Sequence, residues 1–360
     1  MSIELATIDM ADPADVDGLA GALDALGPIR RLAVLAKLEA QPGCEDESRS
    51  RGRRAVDTML VARGLAERTV VLLAVGCEGV ATPFAQLIVD LDSPSQGNGK
   101  DAAEVGPPRL VLGIARSVPV APAERGARAL VDRVADTVRR ALDDAALTPA
   151  QVGLALVKCP VAPQDAADAS ADQKSLSRGR AIAALGAGVA LGEVAEQQLS
   201  DSMIASDVGV FARRAMTFAG SEIDRVEAVV LGNRPGAGGT LQVTSAQLAD
   251  ILDGAGIRRM LAGAGVRIDR WGELVDPDEV AALLLKAGVA PNGLVRGRRT
   301  TVFSSGLAPD WHMRAAQTGL VGSLLGHTRC FISGDPIQQA PPGGAVAAAI
   351  VHAAARNGDR

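Results

Sequence analysis

An apolar run that stops at a lysine is the feature of this sequence that most constrains its fold. Residues 153–157 are small or apolar, and Lys158, Cys159 and Pro160 follow them. A short apolar run closed by a proline indicates a buried strand. Lys158 would then lie at the carboxyl end of that strand, where open α/β layers bind their ligands. Lys158 is therefore a candidate site residue.

Two other stretches share this pattern. Residues 31–39 hold an apolar run that reaches Lys37, and residues 280–287, which we predict to be helical, hold one that reaches Lys286. The three lysines lie at nearly equal intervals, each the length of a small domain, and such spacing indicates a threefold internal repeat. A lysine after an apolar run is by itself usually the first solvated residue beyond a core segment. The repetition favours a shared site instead.

Composition excludes several classes of function. The chain has 360 residues, of which 48% are hydrophobic and 22% charged, as expected for a globular protein of two or three domains. Aromatic residues make up 2% and the net charge is −5, so we expect no nucleic-acid partner. There is no signal-peptide pattern and no apolar run of membrane-spanning length, so we expect a cytoplasmic protein without a membrane partner. The four cysteines lack Cys-x-x-Cys spacing, which predicts reduced thiols.

The order of strands, helices and turns divides the chain into three α/β units. Each unit should contain a strand that ends at a lysine, a helix that carries an arginine, and a strand or helix that ends near a glycine. A linker rich in turn-forming residues follows the first unit. The predicted boundaries are 1–98 for unit A, 99–108 for the linker, 109–236 for unit B and 237–360 for unit C. We predict helices over 50–63, 124–146, 215–222 and 245–263, and strands over 226–232 and 327–332.

Several short segments, taken in order, carry a resemblance to a known family. They are residues 109–115, 157–160, 177–179, 295–297, 312–315, 318–319 and 333–334, with Gln339, Pro341, Gly343 and Gly344 after them. Through these segments the chain resembles the cyanuric acid hydrolase and barbiturase family of ring-opening cyclic amide hydrolases along nearly its whole length. The resemblance implies three structurally similar α/β repeats in one chain, arranged around a pseudo-threefold axis that holds the active site. It also implies a homo-oligomer, a tetramer in this family.

The resemblance also implies roles for basic residues of each repeat. Lys37, Lys158 and Lys286 match the family's lysines, and Lys158 fills the lysine role in the family's catalytic lysine–serine pair. The arginines that match are Arg49, Arg178 and Arg314. Guanidinium groups offer planar paired donors that can bind ring carbonyls and stabilise an oxyanion. Burial and neighbouring cations should lower the pKa of a lysine enough to supply a neutral amine as a base.

The serine positions depart from the family pattern. Alignment places the family's three serines on Ala74, Phe218 and Ser333, so two hydroxyls are missing, including the expected nucleophile. The phenyl ring of Phe218 would also fill space that a substrate carbonyl occupies. The predicted substrate-binding turns are therefore Ala74, Val75, Phe218, Ala219, Ser333 and Gly334, with Thr217 and Ser221 as nearby hydroxyls. The acidic residue that helps to hold a structural metal in the family falls on Gly288, so we expect neither a metal nor a cofactor.

Three functions fit these residues. The first is hydrolytic ring opening of a cyclic imide or ureide other than cyanuric or barbituric acid. Its catalytic set would be Lys158, Ser333, Lys286 and Lys37, with Ser333, a nearby hydroxyl or a lysine-activated water as the nucleophile. The second is different chemistry, with Lys158 as a base or amine nucleophile on a carbonyl substrate. The third is a binding homologue without catalysis, which the missing serines favour and the retained lysines and arginines disfavour.

Overall fold

Three four-stranded sheets organise the chain. A computed structural model describes residues 2–40, 44–76, 79–92, 107–162, 169–290, 292–304 and 309–353, with backbone alone for 169–172, 303, 304 and 309. In each sheet the strands lie in the order first, fourth, second, third, counted along the chain. One topology used three times confirms the predicted α/β architecture of three similar repeats.

The first two sheets are built from consecutive stretches of chain. The first contains β1 (Ser2–Asp9), β2 (Ile29–Glu39), β3 (Thr69–Gly76) and β4 (Phe84–Leu91), with helices α1 (Asp17–Asp24) and α2 (Glu45–Ala62). The second contains β5 (Arg109–Arg116), β6 (Val152–Pro160), β7 (Ala215–Gly220) and β8 (Glu227–Arg234), with α3 (Ala129–Ala145) and α4 (Ala169–Ala190).

The third sheet follows the same plan. It contains β9 (Leu241–Leu248), β10 (Val280–Ala287), β13 (Phe331–Ser333) and β14 (Ala345–His352), with α5 (Gly254–Gly263) and α6 (Pro309–Leu325). A two-stranded ribbon, β11 (Leu294–Val295) and β12 (Arg298–Arg299), lies between β10 and α6. Among the described residues no helix is both long and apolar enough to cross a membrane.

One hydrophobic core joins all three sheets. This shared core takes residues from every sheet, among them Leu35, Leu156 and Leu284, while a separate core fills the helix-covered side of each sheet. Successive side chains of a strand point to opposite faces, so the residue two positions further along faces the same way. Each of the three lysines stands two positions after one of these leucines. The strand period therefore directs all three lysines towards the shared core.

Two predicted helices are strands. Residues 280–287 form β10, which pairs with β13 and β14, and residues 215–220 form β7, which pairs with β6. Short apolar runs fit a buried strand and a buried helix equally well. Here both runs are strands because their backbones hydrogen-bond to neighbouring strands. The helix predicted over 245–263 is also wrong at its start, because β9 runs to Leu248 and α5 begins at Gly254.

The remaining predicted elements lie close to observed ones. The helices predicted over 50–63 and 124–146 correspond to α2 and α3, and the strand over 226–232 corresponds to β8. The strand predicted over 327–332 is shorter and forms β13. Most of the predicted linker, from 99 to 106, lies outside the described residues, and the proposed unit boundaries stay predictions.

Candidate active site

Strand register pairs each lysine with one of the aligned serine positions. The second and third strands of each repeat are parallel, and their register sets Lys37 opposite Ala74, Lys158 opposite Phe218 and Lys286 opposite Ser333. The three lysines are at most 3% exposed. None of them is therefore merely the first solvated residue after a core strand. Of the three opposite positions, only the third carries a hydroxyl.

The third repeat holds a lysine–serine pair. Lys286 Nζ donates a hydrogen bond to Ser333 Oγ at 2.9 Å, and the same nitrogen lies over the Phe218 ring, 4.7 Å from its centroid. Burial lowers the pKa of Lys286 well below its usual value, and the nearby Arg180 guanidinium lowers it further. A buried lysine with a strongly lowered pKa can be a neutral amine, which can accept the proton of a serine hydroxyl.

Each lysine reaches a neighbouring repeat. Lys158 Nζ of the second repeat donates to the carbonyl oxygen of Leu73 in β3 of the first repeat at 2.9 Å. Lys286 of the third repeat lies over Phe218 of the second, and Lys37 of the first interacts electrostatically with Lys286 and Asp310 of the third. Each of the three buried lysines thus interacts with a residue of a neighbouring repeat, and the region where these interactions lie is the centre between the repeats.

Lys158 is held in a buried ion pair. Its ammonium contacts the Glu222 carboxylate, and both side chains are at most 2% exposed. Arg49 Nε lies 3.6 Å from the same carboxylate. Burial alone would raise the pKa of Glu222, but the Lys158 and Arg49 cations outweigh it and hold that pKa below its usual value. The lysine that matches the family's catalytic position therefore faces a carboxylate and a phenyl ring, with no hydroxyl opposite it.

Two carboxylates flank the third-repeat pair. Asp335 accepts hydrogen bonds from Arg180 Nη1 at 2.7 Å and from Ser177 Oγ at 2.6 Å, and Arg180 holds the pKa of Asp335 low against the effect of burial. Asp310 pairs with Arg314 at 2.9 Å. Loss of hydration, reinforced by the Asp335 charge, raises the pKa of Asp310 to about 6.

Gly334 leaves the space in which the Asp310 and Arg314 side chains lie. A Cβ atom at Gly334 would come within 2.9 Å of both Asp310 Oδ2 and Arg314 Nε. A larger residue would therefore disturb this ion pair, which lies directly beside the Ser333 turn.

The predicted arginines divide into two groups. Arg49 and Arg314 are 5% and 7% exposed and pair with Glu222 and Asp310 next to the lysines. The side chain of Arg178 is 31% exposed, and it donates to the carbonyl oxygen of Gly126 and to Asp201. It lines a cavity of about 320 Å³ together with Arg125, Gly126, Val161, Ala162, Lys174 and Ser175. Among the described residues, no contact therefore links Arg178 to Lys37, Lys158 or Lys286.

Sequence reasoning missed Arg180, which provides the second repeat's guanidinium at the centre. Residues two apart on a helix point to nearly opposite sides, so Arg178 and Arg180 of α4 cannot both face the same cluster. Asp310, Asp335 and Glu222 were missed as well. Asp335 and Glu222 directly follow Gly334 and Ser221, both predicted near the site, whereas Asp310 had no such signal. Sequence alone did not show which charges these carboxylates meet.

The predicted turn residues differ in exposure, and the spare hydroxyls are engaged elsewhere. Ala74, Phe218 and Ala219 are buried, whereas Val75, Ser333 and Gly334 are half-buried. Thr217 Oγ1 donates to the carbonyl oxygen of Arg180 at 2.8 Å, and Ser221 Oγ donates to Asp46 at 2.7 Å. Neither hydroxyl takes the place that Phe218 occupies in register with Lys158.

Comparison with known proteins identifies the family of this chain. A family model described as "Amidohydrolase ring-opening protein" matches residues 4–352. The chain belongs to this family. A curated relative of this ring-opening amidohydrolase, named cyclic amide hydrolase, from Azorhizobium caulinodans, is 33% identical over 98% of this chain and 100% of its own length. A cyanuric acid amidohydrolase from Methylobacterium is 34% identical over 96% of each chain, and Barbiturase 1 from Nocardioides is 29% identical over 97% and 98%.

Solved structures show the same fold. The crystal structure of cyanuric acid hydrolase from A. caulinodans matches with a TM-score of 0.83 and 29% identity, over 98% of this chain and 99% of that one. A second cyanuric acid hydrolase structure, described as an evolutionary innovation by structural concatenation, matches with the same TM-score at 24% identity. Concatenation agrees with the three copies of one sheet topology in this ring-opening amidohydrolase.

The residues near Gly288 do not fit a metal ion held by a carboxylate. Gly288 supplies no side-chain ligand, and a Cβ atom there would meet Pro336 Cδ at 2.5 Å, so little room is left for a longer acidic side chain. Within the described parts of the chain no group of three or more His, Cys, Asp or Glu side chains could hold a metal.

Proposed function

We propose that this ring-opening amidohydrolase hydrolyses a cyclic imide or ureide with Ser333 as the nucleophile and Lys286 as its base. The observation that carries the proposal is the 2.9 Å contact between Lys286 Nζ and Ser333 Oγ. Among the three register pairs, this is the one that combines a lysine with a hydroxyl. The names of the relatives, which include cyclic amide hydrolase and barbiturase, support the class of substrate.

The reaction would proceed through an acyl-enzyme. The neutral Lys286 amine takes the proton of Ser333 as Oγ attacks a ring carbonyl carbon. The Arg180 guanidinium and the neighbouring Lys37 stabilise the oxyanion that forms. The ring C–N bond then breaks, and the leaving nitrogen takes the proton from Lys286. Lys286 then takes a proton from a water molecule, which attacks the ester. The Ser333 oxygen leaves with that proton from Lys286, which releases the open-chain carboxylic acid and restores the free enzyme.

The arginines would bind the remaining carbonyls. Arg314 lies on the Ser333 side and Arg49 on the Lys158 side, and their planar donors suit flat, carbonyl-rich rings. We assign the third position to Arg180 in place of Arg178, because Arg180 contacts Asp335 and acts electrostatically on Lys286. In this proposal Lys158 shapes the site through its ion pair and performs no proton transfer.

We extend the proposal to the substrate, location and partners of the protein. The substrate is a ring other than cyanuric or barbituric acid, and the protein acts in the cytoplasm as a homo-oligomer. It needs no cofactor and has no nucleic-acid or membrane partner.

Ring-opening assays on a panel of cyclic amides test the proposal. We expect turnover of at least one ring, at least a hundredfold loss of kcat in Ser333→Ala and Lys286→Met, and little change in Ser221→Ala. Ser221 is a matched control because it occupies the corresponding turn of the second repeat and bonds to Asp46. Full activity of folded Ser333→Ala would rule out this nucleophile and leave a lysine-activated water.

A binding protein without catalysis is the second candidate. The Glu222–Lys158 ion pair favours it, since it occupies the amine that matches the family's catalytic lysine. Mass spectrometry after rapid quenching separates the two candidates, because an ester on Ser333 forms only in the hydrolase. Chemistry through an imine on Lys158 would instead leave a borohydride-trapped adduct on that residue.

A further inference from the structure

We infer that Phe218 selects cyclic imides in which one edge of the ring is hydrocarbon. This inference rests on the proposed function, because it assigns the substrate class of the Lys286–Ser333 site. A ring-shaped substrate bound at the centre between the repeats would meet, at the same time, the three edges of the site, each formed by the residue opposite one lysine.

The three edges differ in chemistry although they share one register. The residues opposite the lysines present a methyl group at Ala74, a phenyl ring at Phe218 and a hydroxyl at Ser333. A ring with three equivalent carbonyls would find a hydroxyl at only one edge. The site is therefore built for a ring whose edges also differ.

Phe218 is a fixed wall. Its ring packs edge-on against Phe331 at 6.1 Å between centroids, and Phe331 packs edge-on against Phe84 at 6.4 Å. These are three of the five phenylalanines in the chain, and each is at most 4% exposed. Side chains packed this closely stay in one rotamer, so the phenyl ring has little room to move aside for a polar group.

The phenyl ring and the nucleophile share one neighbour. Lys286 Nζ is 2.9 Å from Ser333 Oγ and 4.7 Å from the Phe218 centroid. A six-membered ring with a carbonyl at Ser333 therefore brings another of its edges towards the phenyl ring. A carbonyl placed against the phenyl ring loses hydrogen bonds to water and gains no donor from that ring, whereas methylene groups gain apolar contact.

The substrate class is thus a small cyclic imide with carbon-only atoms along one edge. Glutarimide and cyanuric acid are a suitable pair of probes, because both are six-membered and contain an imide. Glutarimide has a three-carbon edge, whereas cyanuric acid has a third carbonyl between two nitrogens.

The test compares kcat/KM for the two probes in the unmodified enzyme, Phe218→Ala and Phe218→Leu. We expect the unmodified enzyme to prefer glutarimide, and Phe218→Ala to reduce the preference by a factor of about 10 to 200, the range for losing apolar pocket contacts. Phe218→Leu keeps a hydrocarbon wall and should retain most of the preference. Turnover with the same preference in all three proteins would overturn the inference.

Binding separates this inference from the proposed function. Calorimetry on Ser333→Ala measures the affinities of both probes without turnover. If Ser333→Ala binds glutarimide more tightly and the unmodified protein opens no ring, the result would support the role of Phe218 and refute the proposed hydrolase activity. Equal affinities, tighter binding of cyanuric acid, or no binding of either probe would overturn the inference itself.

Discussion

Removing one partner of the Lys158–Glu222 pair should destabilise the fold strongly. Both side chains are at most 2% exposed, so Glu222→Gln removes the buried counter-ion of Lys158, and Lys158→Met removes the nearer of the two cations beside the Glu222 carboxylate. Breaking a buried pair in this way costs about 3–5 kcal/mol, whereas replacing both charges by apolar groups is often neutral. We therefore expect each single variant to lose about 3–5 kcal/mol of unfolding free energy.

The double variant Lys158→Met/Glu222→Leu should recover most of this loss. Arg49 keeps its contact with Asp46 at 3.0 Å, which limits the charge left unpaired. Chemical denaturation at neutral pH measures all three variants and gives the coupling between the two sites. Losses that simply add in the double variant would refute the reasoning about the pair.

Activity of the double variant decides the role of Lys158. Because the proposed reaction uses Lys286 and Ser333, the folded double variant should retain kcat within about tenfold of the unmodified enzyme. A folded, stable double variant without turnover would mean that Lys158 takes part in the chemistry, as its alignment with the family's catalytic lysine first indicated.

Acid should weaken the same pair. The Glu222 pKa lies below its usual 4.5, so its contribution to stability is complete above that value and is lost as the pH falls through the folded-state pKa. The unmodified protein should therefore lose more stability below pH 4.5 than Glu222→Gln does. Parallel acid curves for the two proteins, measured by denaturation at fixed pH values, would contradict this.

Two other substitutions test electrostatics and packing. Arg180 lowers the pKa of Lys286, so Arg180→Gln should raise that pKa and move the acid limb of the kcat/KM profile to higher pH. The control Arg178→Gln should leave the limb in place. An unmoved limb in Arg180→Gln would contradict the assignment of Lys286 as the base. Gly113→Ala would place a Cβ 2.1 Å from a backbone carbonyl of α3 and should cost about 1–3 kcal/mol in denaturation experiments. Gly21→Ala is the control, because a Cβ atom there has nothing within 4 Å, and it should stabilise α1. Equal stabilities of Gly113→Ala and Gly21→Ala would contradict the packing argument.

The sequence by itself determined the repeated unit and the positions that matter in it. Apolar runs that end at Lys37, Lys158 and Lys286 recur because each repeat buries a central strand, and strand period then directs each lysine inwards. The aligned turns identified Ala74, Phe218 and Ser333, and register places each of them opposite a lysine. These features depend on local pattern, which a sequence records directly.

Tertiary structure decided which of the repeated groups meet. Residues 280–287 and 215–220 are strands because neighbouring strands satisfy their backbone hydrogen bonds, and an apolar run cannot show its neighbours. Arg180 rather than Arg178 contacts the centre because packing fixes the rotation of α4. The ion pair of Lys158 with Glu222 depends on where a strand and a turn come to lie in space, so only the folded chain shows that a carboxylate contacts the Lys158 amine.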